Sequence, residues 1–226
     1  MNTEMRGSGR SPSSSSRGGT VLAIRLTRPS AGETTMPSRT GVTRDGRTTA
    51  SVLLSEKAKA AGVKLVRLFS PEHGLAAAAD EKVADGVDAA TGLPVVSLYG
   101  EKRRPDAKDL AGLDAVVVDL QDAGVRFYTY LTTMGWAMEE CARAKVAVVV
   151  LDRPDPIGGE VVEGPPADEE KLSFTAVHTL PVRTGMTIGE TARMLNAERR
   201  IDAELTVVAV RGWKRSLWYD ETGLPW

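Results

Sequence analysis

Short apolar runs, each broken by proline, glycine or a charged turn, alternate along this chain with stretches of helical period. Val63 to Phe69, Leu93 to Leu98, Leu113 to Leu120, Val146 to Leu151 and Leu205 to Val210 are short and continuous, and they read as strands. Between them, Thr48 to Ala61 sets Leu54, Ala58 and Ala61 on one side of a helix ended by Gly62. Pro105 to Leu110 is a short helix with proline in its first turn. Tyr128 to Ala144 and Thr187 to Glu198 are further helices, the second with Met194 and Leu195 inward. Strands alternating with helices predict an α/β fold, a mostly parallel, Rossmann-like doubly wound sheet covered on both faces.

Residues 1 to about 35 differ in kind. The opening MNTEMRGSGRSPSSSSRGG is Ser, Gly and Arg with almost no apolar residues, and it predicts a disordered segment. Val21 to Leu26 is shorter than the apolar core of about 7–15 residues that a signal peptide needs, and Arg25 breaks it. No run approaches the roughly 18 apolar residues of a membrane span. As written, the sequence predicts a cytoplasmic protein. The organisation expected is a disordered 1–35, an α/β catalytic unit over 36–212, and a tail from 213 to 226 that holds three of the four tryptophans.

Three strand ends carry polar clusters that folding alone does not require. Val63–Phe69 runs into Ser70-Pro71-Glu72-His73-Gly74. The third strand runs into Gln121-Asp122-Ala123-Gly124, followed by Arg126, Phe127, Tyr128 and Tyr130. The fourth ends in Asp152-Arg153-Pro154-Asp155-Pro156. Proline stops the ladder and glycine lets the chain turn sharply. In an open α/β sheet, ligands bind beyond the carboxyl ends of the strands, so the three clusters predict one site. Bland alternatives stand beside this reading: Asp122 as a helix cap with core aromatics, and Asp152 paired with Arg153.

Composition narrows the classes. With 42% apolar and 26% charged residues and a formal net charge of −1, the chain shows no pull toward nucleic acid or an anionic membrane. One cysteine, Cys141, lies within a helical pattern and reads as a buried inert thiol. His73 and His178 are far apart and lack metal-ligand spacing, so no metal site is expected. A nucleotide-dependent oxidoreductase would suit such a sheet, but no strand ends in a G-x-G-x-x-G turn, and no cofactor is expected.

The motifs S-P-E-H-G (70–74), T-G-L-P-V-V-S-L-Y-G (91–100), D-L-Q-D-A-G-V-R-F-Y-T-Y (119–130) and L-D-R-P-D-P-I-G-G (151–159) follow in order. V-E-G-P (162–165), P-V-R-T-G-M-T-I-G-E (181–190) and G-L-P-W (223–226) complete the set. In these segments the chain resembles the NamZ-type exo-β-N-acetylmuramidases, glycoside hydrolases of peptidoglycan recycling, over roughly residues 39 to 226. It departs from them in having Asp155 where the family usually has Asn, and Thr184 where it usually has His. Leu75 to Glu81 replaces the Arg-Gly and Ala-Gly pairs usual after S-P-E-H-G, and Met36 to Gly41 replaces an Asn-x-Thr-Gly turn. Family members run past G-L-P-W into a second subdomain and include exported proteins. A chain ending at Trp226 is therefore expected to lack that subdomain, and could be inactive alone.

The resemblance implies a muropeptide or aminosugar substrate, and glycosidase chemistry asks for two groups flanking the bond. Glu72 is the expected acid: Pro71 and Gly74 set it beside backbone rather than bulk water, and the resemblance points to the same residue. His73 orients Glu72 or the substrate. Asp122 is the favoured second catalytic group, with Asp152 and Glu190 as alternatives, although Glu190 also suits the helix dipole. Arg126, or Arg153, offers a fork for the lactyl carboxylate of N-acetylmuramic acid. Gln121, Tyr128 and Tyr130 complete the expected substrate contacts, with a core role open for the tyrosines. A non-catalytic muropeptide-binding fragment is the third reading, and the oligomeric state is left open.

Overall fold

The apolar runs become strands β1 (Thr20–Leu26), β2 (Val63–Ser70), β3 (Gly86–Val87), β4 (Pro94–Ser97), β5 (Ala115–Asp119), β6 (Ala147–Leu151) and β7 (Leu205–Val208). The helices are α1 (Ala107–Leu110), α2 (Thr129–Ala144) and α3 (Ile188–Glu198). The computed structural model describes residues 20–26, 58, 60–75 and 84–224. The helix expected over 48–61 falls outside these residues, apart from Ala58 and Ala60, which are helical, and Ala61, which is in a turn.

All strands join one sheet of order β3-β4-β2-β1-β5-β6-β7. The pairs β2–β4, β5–β6 and β6–β7 are parallel. Strand β1 is antiparallel to both β2 and β5, and β3 to β4. Hence β2, β4, β5, β6 and β7 point one way, and the mostly parallel α/β sheet expected from the sequence is the one observed. From β2 the chain steps outward to β4, whereas from β5 it steps the other way to β6 and β7. The switch between these directions opens a crevice at the carboxyl ends of β2 and β5.

Two apolar clusters cover the sheet. One joins Phe69, Val116, Val118 and Val148 to Leu131, Met134 and Met138 of α2 and to Ile188, Ala192 and Leu195 of α3. The other gathers Leu68, Val95, Ala115 and Val117 on the opposite face. In α2, Leu131, Met134, Met138 and Cys141 recur at helical spacing, and all are buried. Lys145 ends α2 in the left-handed conformation, and its N–H bonds Ala142 and Cys141 carbonyls. Burial pushes the Cys141 thiol up to about 12, which keeps it protonated and unreactive.

The N-terminal reading needs one correction. Thr20–Leu26 is a central strand, with Val21 wholly buried, so disorder does not extend through these residues. An apolar run too short for a signal peptide has the ordinary length of a strand. Among the described residues, no helix is long and apolar enough to cross a membrane.

Candidate active site

Strand β2 delivers its last buried residues, Phe69 and Ser70, directly into the Pro71–Leu75 turn. Leu98 N–H bonds the Ser70 carbonyl at 2.8 Å, which carries β4 alongside. The turn closes through Gly74 N–H to the Pro71 carbonyl at 3.1 Å, with His73 and Gly74 both at positive φ (68° and 79°). Such a turn needs glycine at the second position and strains His73 at the first. It sets Glu72, half-buried, at the crevice.

Three hydroxyl-bearing residues converge on Glu72. Thr129, the first residue of α2, donates from Oγ1 to Glu72 Oε2 at 2.5 Å. The Tyr99 phenol, just past β4, also donates to the Glu72 carboxylate, and this bond raises the phenol above its usual range. Tyr130 Oη lies 3.4 Å from the Glu72 backbone carbonyl. Tyr128 and Tyr130 rings lie 4.8 Å apart and their hydroxyls are hydrogen-bonded. Burial first, then the Asp122 charge, raises the Tyr128 phenol. The His73 ring stands 6.3 Å from Tyr99.

Beneath this layer lie two buried carboxyls. Asp122 accepts from Gly124 N–H at 3.0 Å, and burial pushes it up to about 7 against that bond. Asp155 accepts from Ile157 N–H at 3.0 Å and is likewise pushed up by burial to about 6. The Asp155 charge raises Asp122 further. Gly124 makes their proximity possible: a Cβ there would sit 2.3 Å from Asp155 Oδ1. Gln121 joins the two turns, donating from Nε2 to the Asp122 carbonyl at 2.8 Å and the Pro154 carbonyl at 3.0 Å.

The other expected residues take structural partners. Arg126 Nη1 donates to the Pro165 and Leu180 carbonyls at 2.8 and 2.6 Å. Arg153 pairs with Asp119 through Nε and Nη2, at 2.8 and 2.6 Å. Asp152, rather than pairing with Arg153's side chain, accepts from Gly189 N–H at 2.8 Å at the start of α3. Glu190 closes a capping box with Thr187 and pairs with Arg215. The tail returns to this region: Gly159 N–H bonds the Arg215 carbonyl at 2.7 Å, and Tyr219 N–H the Pro156 carbonyl at 3.0 Å. A cleft of about 320 Å³ beside Arg126 and the exposed Phe127 is lined also by Pro166, Lys171 and Thr175. Glu72 is not in its wall.

The structure thus brings Glu72, His73, Tyr128, Tyr130 and, one layer below, Asp122 and Gln121 together. Tyr99 and Thr129 were not singled out from the sequence. Tyr99 follows a strand run as Glu72 does, so the strand-end signal applied to Leu93–Leu98 would have found it.

The family model described as exo-β-N-acetylmuramidase NamZ, N-terminal, matches residues 35–226, and the chain belongs to this family. Over 165 residues it is 46% identical to the peptidoglycan β-N-acetylmuramidase NamZ of Bacillus subtilis (strain 168), covering 72% of this chain and 40% of that protein. A crystal structure of a DUF1343 family protein from Bacteroides fragilis NCTC 9343 superposes with a TM-score of 0.71 at 41% identity, over 79% of this chain and 45% of that one. A second DUF1343 protein from the same organism gives 0.64 at 32% identity, over 77% and 46%. The chain therefore spans less than half the length of these relatives.

Proposed function

We propose that the protein carrying this chain is a glycoside hydrolase that releases N-acetylmuramic acid from the non-reducing end of peptidoglycan fragments. The observation that supports this most is Glu72 at the switch point of the sheet, gripped by Thr129 and Tyr99. A glycosidic bond breaks when a carboxyl protonates the leaving oxygen and a second group attacks or activates water. Glu72 is half-buried and sits at the crevice, and we assign it the transfer of the proton to the leaving oxygen. The two hydroxyls fix its rotamer, which leaves little freedom to lose when a sugar binds. Asp122, 4% exposed one layer below, is the candidate for the second group, and its charge acts on the Tyr128 phenol. Tyr128, half-buried, offers a face on which a sugar ring stacks, whereas Tyr130, 2% exposed, belongs to the core.

Incubating the full-length protein with a chromogenic β-N-acetylmuramide, without added NAD or metal, tests the reading. Release of the leaving group is expected. Release only with NAD, or equal cleavage of the matching N-acetylglucosaminide, overturns it.

A further inference from the structure

If the substrate is a muramide, its lactyl carboxylate needs a cation at the Glu72 site, and Arg126 and Arg153 each already hold partners of their own. Nη1 of Arg126 serves two backbone carbonyls, and Arg153 is bound to Asp119. Arg104 pairs with Glu139 and Glu140, and Arg215 with Glu190.

Arg103 is placed differently. It follows β4 by six residues, is exposed, and has no ion-pair partner among the described residues. Its Cζ stands 4.4 Å from the centre of the Phe174 ring. Phe174 in turn stacks on Tyr99 at 6.4 Å with planes 21° apart, and its other neighbour Trp136 lies at 5.6 Å. Tyr99 is the residue that donates to Glu72, and the Arg103 charge is close enough to act on that phenol. Stacking holds a guanidinium by its face. The N–H donors lie in its plane, and they stay available as a fork that matches a carboxylate.

Resting on the muramidase reading, we infer that Arg103, braced on Phe174 beside Tyr99, is the residue that recognises the carboxylate of the substrate. The ligand class is an aminosugar bearing an acidic ether substituent, with its reacting bond at Glu72 and its anion at Arg103.

The test is a binding titration of the full-length protein with N-acetylmuramic acid and with the same sugar amidated at the lactyl carboxyl. The wild type is expected to prefer the acid. Arg103→Gln should weaken binding of the acid by about ten- to a hundredfold and leave the amide little changed. Arg103→Lys, which keeps the charge but not the fork, should fall between. Phe174→Leu, which removes the brace but not the charge, should erode the preference in part. A wild type that binds both sugars equally or neither, or an Arg103→Gln protein that retains the preference, overturns the inference. Arg103-dependent binding without hydrolysis of the chromogenic muramide would instead overturn the enzymatic reading and leave this one standing.

Discussion

Thr129 and Glu72, separated by 57 positions in the chain, are joined by a 2.5 Å hydrogen bond that ties the first residue of α2 to the turn after β2. The donor sits where a helix begins, so its position is fixed by the whole of α2, whose inner face is buried in the core. A carboxylate held in this way inherits the rigidity of two elements rather than of one loop.

Replacing Glu72 with Gln keeps its size and removes the acid. Turnover of the muramide should fall by about 10²–10⁴-fold in kcat with KM little changed. Steady-state kinetics decide it, and near-normal kcat would remove Glu72 from the chemistry.

Thr129→Val preserves the shape and deletes the hydroxyl. One hydrogen bond to a charged group implies a drop of about ten- to a hundredfold in kcat, again with little change in KM. Thr129→Ser should restore most of the loss. A purely structural threonine would show a lowered melting temperature without this split, and serine would not rescue it.

The buried carboxyls give a pH dependence whose sign can be worked out. Burial pushes Asp122 up to about 7 and Asp155 up to about 6 in the fold, from 3.8 in the unfolded chain. The fold therefore holds extra protons between about pH 4 and 7, and the stability these groups contribute is complete below pH 4 and lost as pH rises through their folded values. Asp155→Asn keeps Oδ1 to accept from Ile157 N–H and cannot ionise. It should stabilise the protein by about 1–3 kcal/mol at pH 8 and by much less at pH 4.5. Urea unfolding at the two pH values measures this, and an equal gain at both would show that charge is not the cause.

Arg153→Ala leaves the Asp119 carboxylate, with a side chain only 2% exposed, without its partner. Removing one member of such a pair costs about 3 kcal/mol, at the low end because Arg153 itself keeps 28% of its side chain in solvent. The double variant Arg153→Ala, Asp119→Ala should recover part of the loss. Additive losses in denaturation would mean that the pair does not couple.

Much of this was legible because the signal was local. Apolar runs closed by Pro and Gly correspond to five of the strands of the sheet, and the polar residues at their ends place Glu72, Asp122 and Tyr128 near one another. The partners of the arginines are not legible because they are distant: Arg126 reaches carbonyls 39 and 54 positions away, and a backbone carbonyl leaves no mark on sequence. Arg103 lay in a charged stretch, and only the fold brings Phe174 beneath it. Strand β1 was missed because seven residues in a polar setting carry no period long enough to stand out.

That strand has a mechanical meaning. β2 and β5 share no ladder; each is bonded on its inner side to β1. The segment lies before residue 35, where the family match begins. It is the keystone between two three-stranded halves, β3-β4-β2 and β5-β6-β7, and Glu72 belongs to one half while Thr129 follows the other. A protein cut back to residue 35 would face solvent along both inner edges, each an open template for a foreign strand. It would have only side chains to keep Glu72 and Thr129 in register.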